Sequence, residues 1–490
     1  MTSRILLLTG FVPVGKTQIQ RMGVTDEPVL LTSMSGKSSF RISIPTLGPA
    51  VIASHLLEHG VGIEVYDYFQ DDIDWTNARI IGISSTFMDL DTVREIAARI
   101  RCESPSAAII LGGPLSWSVP TSDLLAIIPE LDYVVEREGE ETFLDLITAL
   151  SQGRGAENVR GIVYRSQQGP VRSPARNPLS DEQLPRPAWE LMGIPSDSRL
   201  PVLPVETSRG CPYNCAYCSE VRYWGKPVRY KTPERVTNEL LDNAIRYGIR
   251  TFRFADSCFS APVSRSAVVC DRIYEDCTGR GYDIRWSCYA RIENLSAVLL
   301  EKMKRSGCIA LDIGVESGDI DILQRMGRKY SPEIAVKVSH MARDIGIITN
   351  FNIVVGFPGE TRESIKRTID ILNRAAPDTF SCFQLFLAQN SAAYLNPHEY
   401  GIEGEGLTWK HSTMSSEQAA QAMVDIPREV TCSTSFPGGE YVACYLTSVG
   451  YGFEEIRRFY RAMATITEES DNHEALATLG DVFKNLEKYL

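Results

Sequence analysis

The segment Thr207-Ser-Arg-Gly-Cys211-Pro-Tyr-Asn-Cys215-Ala-Tyr-Cys218 places three thiols at C-x3-C-x2-C spacing, with a glycine before the first and an aromatic before the third. Zinc in a protein usually takes four ligands, or three with histidine or carboxylate among them. Apart from Cys258 and beyond, no further cysteine and no histidine lies within about thirty residues of the loop. Three thiolates suit a four-iron cluster better, because they leave one iron without a protein ligand. An open iron on a strong reductant can bind a small molecule and pass it an electron.

Such a loop has to be held by a rigid frame. From Val202 onward the chain alternates strand and helix patterns, with strands expected over Val202–Thr207, Thr251–Ala255, Asp283–Ser287, Ala310–Val315, Asn350–Val355 and Phe380–Leu387. Six βα units imply a partial (β/α)6 version of the eight-stranded TIM-type barrel, with the cysteine loop after its first strand. In barrels of this kind, reactive groups come from the loops at the carboxyl ends of the strands.

Upstream, short apolar stretches at Arg4–Thr9, Gly62–Tyr68, Arg79–Ser85, Ala107–Gly112 and Tyr133–Glu136 alternate with helical patterns at Leu47–His59, Leu90–Arg101, Ser122–Ile128 and Glu140–Leu150. That alternation predicts a doubly wound, Rossmann-like parallel sheet. Its ligand loops would be Gly10–Lys16, Ser84–Asp89 and Gly112–Ser118. Between the two α/β units, Val159–Ser166 and Val171–Ser173 read as a hairpin, followed by a proline-rich strap. The expected division is 1–155 for the sheet domain, 156–200 for hairpin and linker, 201–389 for the partial barrel and 390–490 for a mainly helical C-terminal region. In that last part Gly404–Thr408 reads as loop, and Tyr441–Ala464 and Glu474–Leu490 as helices.

The 490 residues carry a formal charge of −12 and no Lys/Arg run, which argues against nucleic acid as a partner. The apolar run near the N-terminus, Ile5–Leu8, is too short for a signal peptide or a membrane span. Twelve cysteines without a disulfide-like pattern point to a reducing, cytoplasmic setting.

With these residues in view, the cysteine loop resembles that of the radical S-adenosylmethionine (SAM) enzymes, and further segments match the family at successive strand ends. They are Phe252-Arg-Phe-Ala-Asp256-Ser257, Trp286-Ser-Cys-Tyr-Ala-Arg291, Gly314-Val-Glu316-Ser317-Gly318 and Val354-Val-Gly356-Phe-Pro-Gly359-Glu360-Thr361. The resemblance implies a [4Fe-4S] cluster on Cys211, Cys215 and Cys218, whose open iron binds SAM and whose electron cleaves it to a 5′-deoxyadenosyl radical. It implies SAM contacts from Tyr217, Asp256, Ser257, Arg291, Glu316, Ser317, Val354 and Gly356. Many relatives carry Gly-Gly-Glu where this chain has Ala255-Asp256-Ser257, so Asp256 stands in as the acceptor for the amino group. For Asp256 and Arg291 a structural ion pair is the competing reading, and for Glu316 a charge at a helix start.

The N-terminal sequence is similar to cobalamin-binding members of that family, through Pro45–Gly60, Ile63–Asp67, Ile81–Thr86, Leu111–Pro114 and Glu136–Thr142. This implies a corrin held by Leu47, Gly48, Ser84, Ser85, Thr86, Gly112, Gly113, Pro114, Trp117, Glu138 and Gly139. The Asp-x-His-x-x-Gly motif that supplies a cobalt ligand in many cobalamin proteins is absent, and the only histidines of this region are His55 and His59. Trp117 either covers the lower corrin face or packs within its loop. Gly10–Thr17 satisfies a P-loop pattern, but the following residues form a poor helix and no magnesium-binding strand end is apparent.

The function implied is a cobalamin-dependent radical SAM C-methyltransferase that acts on an unactivated carbon of a small metabolite or natural-product intermediate. It would use methylcobalamin and the deoxyadenosyl radical, with a flavodoxin- or ferredoxin-type electron donor. The alternative keeps the cofactors for a rearrangement, cyclisation or oxidation without methyl transfer. Methylthiolation is disfavoured, because it needs three more N-terminal cysteines and only Cys102 is there. No general base is singled out; Tyr289, Tyr394 and Glu399 are available.

Overall fold

The computed structural model describes residues 4–9, 29–32, 39–42, 45–68, 71–85, 90–194, 202–436, 438–468 and 478. The P-loop-like segment, Thr86, and all but residue 478 of the expected terminal helix lie outside them, as does the side chain of Trp117.

Apolar β-rich segments too short for helices assemble into two seven-stranded sheets. In the first, the strands run Glu64–Asp67, Arg4–Thr9, Ala78–Ser84, Ala108–Gly112 and Tyr133–Val135, all parallel. Numbered along the chain this is the doubly wound order 2-1-3-4-5, whose direction reverses between Arg4–Thr9 and Ala78–Ser84. Ligands in such sheets bind beyond the strand carboxyl ends at that reversal. The hairpin Ile162–Ser166/Gly169–Arg172 is not a free connector. It pairs antiparallel with Tyr133–Val135 and completes the sheet's far edge. Helices on both faces bury two layers of aliphatic side chains around strands such as Leu6, Ile81 and Ile109 on one side and Ile5, Ile80 and Ile110 on the other. The alternation along each strand is what a sheet covered on both faces requires.

The second sheet is the partial barrel: Val202–Val205, Thr251–Phe254, Arg285–Arg291, Cys308–Glu316, Ile348–Val355 and Thr379–Gln384, all parallel, extended by the two-residue strand Thr434–Ser435. The third strand begins later than expected and runs on to Arg291, because Trp286 and Cys288 alternate outward into the helix layer and carry the pattern past Ser287. Outward residues such as Phe252, Phe254, Trp286 and Phe351 pack under the helices in one large core.

The C-terminal region supplies two covers. Ile402–Glu405, Thr408–His411 and Met414–Ser415 form a small antiparallel sheet, so Gly404–Thr408, expected as loop, is a hairpin end. The expected helix Tyr441–Ala464 is two helices, Gly439–Ser448 and Phe453–Glu468, broken where Gly450 takes φ +99°. The first of them packs against five barrel strands from within. Its Cys444 donates to Ser287 Oγ at 3.1 Å, and Arg253 Nη2 lies 3.8 Å from Glu440 Oε1. Beside them Asp312 accepts from the side-chain amides of Asn350 and Asn352, and burial pushes the Asp312 and Glu440 carboxyls upward.

Candidate active site: the barrel mouth and the cavity beside it

The cysteine loop leaves the first barrel strand through a short β-bridge, Ser208–Arg209 with Arg229–Tyr230, and turns at Gly210, φ +101°. All three cysteines are half-buried and form no disulfide. Burial pushes Cys211 up to about 12, and Cys218 lies well above the usual thiol range for the same reason, each thiol also feeling its neighbours in the loop. Both therefore stay protonated at neutral pH until a metal displaces the proton, so cluster binding must release protons. Arg291 offsets this charge build-up: its Nη1 donates to Cys215 Sγ at 3.1 Å, while its plane lies 3.7 Å from the Tyr213 ring centroid and its Nε bonds Glu293 at 2.8 Å. Arg291 is thus at the cluster loop, engaged with a thiol and an acid.

Asp256 has a different task from the one expected. It is fully buried, and its oxygens accept from Thr207 N at 2.7 Å, from Thr207 Oγ1 and from Ser208 Oγ at 2.6 Å. The carboxylate thus holds the base of the cysteine loop through three hydrogen bonds. Ser257 bonds Glu220 instead, which also accepts from Trp224 Nε1. These three residues brace the loop from below.

At the fourth strand end, Glu316 sits at φ +64°, a left-handed conformation uncommon outside glycine, where the pairing register slips between Gly314 and Glu316. That turn aims its buried carboxylate at Arg328, which bonds it and also reaches Tyr217 Oη at 2.9 Å. Arg328 escaped the sequence reading. It belongs to no motif, and only the fold returns Gly327-Arg328 to the cysteine loop, where a side chain on Gly327 would meet Asn214 O at 3.3 Å. Among the described residues, Arg328 Nε and Nη1 and Glu293 Oε2 are buried without a hydrogen-bond partner, Nη1 and Oε2 facing each other as a loose ion pair at 3.6 Å. Unsatisfied donors and an acceptor of this kind cost on the order of 1–3 kcal/mol each unless a ligand meets them. They lie beside the thiol loop, and the carboxylate, amine and ribose hydroxyls of SAM are the matching partners, so the residues present fit the group. Ser317 is buried and ties its own turn, its Oγ accepting from Asp319 N at 3.1 Å.

At the end of the fifth strand stand Val354, buried, and Gly356, φ +93°. A Cβ on Gly356 would lie 2.3 Å from the Trp409 ring. Trp409 stacks on His411, whose Nε2 meets Gly356 O at 3.2 Å, so the C-terminal hairpin clamps this turn. Glu360 accepts from Gly356 N in the interior, where burial lifts its carboxyl to about 8.

Next to the barrel mouth, a cavity of about 320 Å³ opens at the reversal point of the N-terminal sheet. Of the residues expected there, Leu47, Gly48, Ser84, Gly112, Gly113, Pro114, Glu138 and Gly139 line it; Ser85 lies behind Gly113, buried with its hydroxyl unpartnered. Among the described residues, nothing stands within 4 Å of a Cβ placed on Gly48, and only Val135, at 3.8 Å, near one on Gly112, so side chains there would fill the space. Gly113 is required for another reason: at φ +89° its Cβ would strike Ser85 O at 2.6 Å. A glycine-floored, mostly apolar cradle suits a flat macrocycle.

One wall of this cavity belongs to the cysteine loop. Arg209, two residues before Cys211, bonds Glu206 and Glu138 at 2.7 Å each and Glu140 at 2.8 Å, and Arg229 also holds Glu138. Glu138 is therefore committed to an ion network joining the domains. Burial opposes ionisation of Glu140, yet Arg209 holds its carboxyl below the usual range, while burial raises that of Glu206.

A partial barrel with a three-thiol loop at its mouth, fed by unsatisfied charged groups, defines a cluster-dependent SAM-binding enzyme. The comparisons agree. The radical SAM superfamily profile matches residues 205–372. An uncharacterized methyltransferase of Pyrococcus horikoshii is 31% identical over 343 residues, covering 66% of this chain and 72% of the relative. The chain belongs to the radical SAM superfamily. The anaerobic magnesium-protoporphyrin IX monomethyl ester cyclase of Rubrivivax gelatinosus is 25% identical over 287 residues, 56% of this chain and 50% of the cyclase. In fold, the chain is similar to the radical SAM methyltransferase TsrM of Kitasatospora setae with cobalamin and a [4Fe-4S] cluster bound, at 18% identity and TM-score 0.66 over 86% of this chain and 81% of that one. The same protein with tryptophan and a SAM analogue matches at TM-score 0.70 and 18% identity, covering 96% and 100%.

Proposed function

We propose that this enzyme binds cobalamin in the N-terminal cavity and uses it with SAM to methylate carbon in a small molecule. The carrying observation is the shared wall: Arg209 lines the glycine-floored cavity and precedes Cys211 by two residues, so the two cofactor sites abut. TsrM, of like fold, holds both cobalamin and a cluster, and the Pyrococcus relative is a methyltransferase. A SAM-bound cluster supplies an electron that cleaves the sulfonium, and a corrin supplies a transferable methyl group.

The chain's own residues position these groups. Cys211, Cys215 and Cys218 hold the cluster, and Arg291 neutralises charge at Cys215. Arg328 and Glu293 offer the donors and acceptor for the methionine end of SAM, and Glu316 and Gly356 shape the nucleoside side. Gly48, Gly112 and Gly113 let a corrin lie flat, and the Glu138–Arg209–Glu140 network keeps the two sites in register. An electron donor of flavodoxin or ferredoxin type would deliver reducing equivalents to the half-exposed loop.

Incubation of anaerobically reconstituted enzyme with methyl-labelled SAM and candidate metabolites tests this. Label in a carbon-bound methyl group of product supports it; product without an added methyl group, alongside 5′-deoxyadenosine, supports a cyclisation like that of the Rubrivivax relative instead.

A further inference from the structure

The two histidines of the N-terminal domain take no part in the chemistry above, yet they meet a carboxylate across packed helices. His55 lies in the last turn of Leu47–Glu58, His59 follows that helix, and Glu141 opens the facing helix Glu140–Ser151. One ring nitrogen from each histidine and one oxygen of Glu141 lie within 4.8 Å of one another. His55 Nε2 is already 3.1 Å from Glu141 Oε1. Ligand atoms around a tetrahedral zinc are about 3.4 Å apart, given bonds of about 2.0 Å.

Two further contacts orient the set. His59 Nδ1 sits 2.8 Å from the His55 carbonyl, which leaves Nε2 as its free ring nitrogen. A backbone carbonyl on the second nitrogen is the usual outer support of a metal-bound imidazole. Arg176 stands 4.0 Å from Glu141 Oε2, the oxygen turned away from His55. His55 is almost wholly buried, and its Nε2 is the nitrogen turned toward Glu141. The two ring centroids are 4.5 Å apart, a spacing that two imidazolium cations would resist and a shared divalent ion would favour.

We propose that His55, His59 and Glu141 form a three-ligand site for one divalent transition ion of the zinc type, with the fourth position open to water through exposed His59. Two imidazoles and a carboxylate suit zinc better than magnesium or calcium, which prefer all-oxygen sets. The ion pins two helices that both reach the large cavity: Leu47 and Gly48 line it about 10 Å along the first helix from His55, and Glu140, next to Glu141, lines it at the start of the second. It is a structural rivet behind that cavity, distinct from the cysteine loop.

The test uses full-length protein with its iron–sulfur cluster reconstituted, so that the loop thiols are occupied. After equilibration with zinc chloride and desalting, the native chain should retain about one zinc beyond its iron. His59→Ala and Glu141→Ala should retain at least tenfold less at the same free zinc, with iron and sulfide content unchanged. Zinc should raise the melting temperature of the native protein and leave that of both variants unmoved. Cobalt substituted for zinc should give weak visible bands without intense thiolate charge transfer. Equal zinc in the native and His59→Ala proteins, no retained zinc in the native protein, or a thiolate band on cobalt each overturns the proposal.

Discussion

The barrel mouth and the sheet cavity hold their occupants by opposite means. At the mouth, the binding groups are charged and partly unsatisfied: Arg328 Nε, Arg328 Nη1 and Glu293 Oε2 make no hydrogen bond among the described residues, the last two meeting only at 3.6 Å. In the cavity, Glu138, Glu140 and Glu206 are already spent on Arg209, and the shape is set by missing side chains at Gly48, Gly112 and Gly113. A site that recognises by charge needs particular side chains at fixed points, whereas one that recognises by shape needs chiefly that nothing intrude. The first should fail by losing affinity when one group is removed, and the second by being filled.

The largest effect tests the thiol loop. Cys218→Ala should abolish cluster assembly and reduce 5′-deoxyadenosine formation to background, as iron and sulfide content and anaerobic turnover will show. Gly48→Leu should break the comparison from the other side: corrin uptake, followed by absorption, falls to background, while 5′-deoxyadenosine is still released on adding dithionite. Corrin bound normally by this variant would mean that the cavity lies elsewhere.

Arg328→Met should weaken SAM binding by about 10²-fold, since removing one member of a buried ion pair costs on the order of 3–5 kcal/mol, part of it felt as lost stability. Arg328→Lys should not restore it, because a compact ammonium lacks the planar fork that meets Glu316 and Tyr217 through Nη2 while turning Nε and Nη1 elsewhere. Calorimetric titration with SAM distinguishes these outcomes.

The smallest expected effect concerns Glu360. Its carboxyl is lifted to about 8 by burial, so the folded state holds a proton that the unfolded state releases at lower pH. This contribution is full in acid and is lost as pH rises toward about 8. Glu360→Gln, which still accepts from Gly356 N, should flatten that loss by about 1–2 kcal/mol, measurable as a smaller drop in the urea midpoint between pH 5 and pH 8.

The two regions also differ in how much of them could be read in advance. Cys211, Cys215 and Cys218 were legible because thiols at that spacing have few other uses, and the strands because short β-branched runs alternate with amphipathic helices. The glycines of the cavity were visible through resemblance to cobalamin-binding enzymes, and eight of the residues named on that basis line one space. The hairpin after residue 159 was seen, but its place on the sheet edge was not, since pairing partners are not local information. Asp256 was assigned to the ligand on its position after a strand; the fold also turns it to Thr207 and Ser208, 49 and 48 residues away.

The sequence by itself determined the architecture and the chemistry of the loop, because hydrophobic period and ligand spacing are local properties of the chain. Only the tertiary structure decided which charged groups remain available. It brings Arg328 onto Glu316 and Tyr217, closes Arg209 among three glutamates, and sets the Trp409 hairpin on Gly356. A side chain's function depends on what has already satisfied it, and that is known only when residues distant in the chain have met.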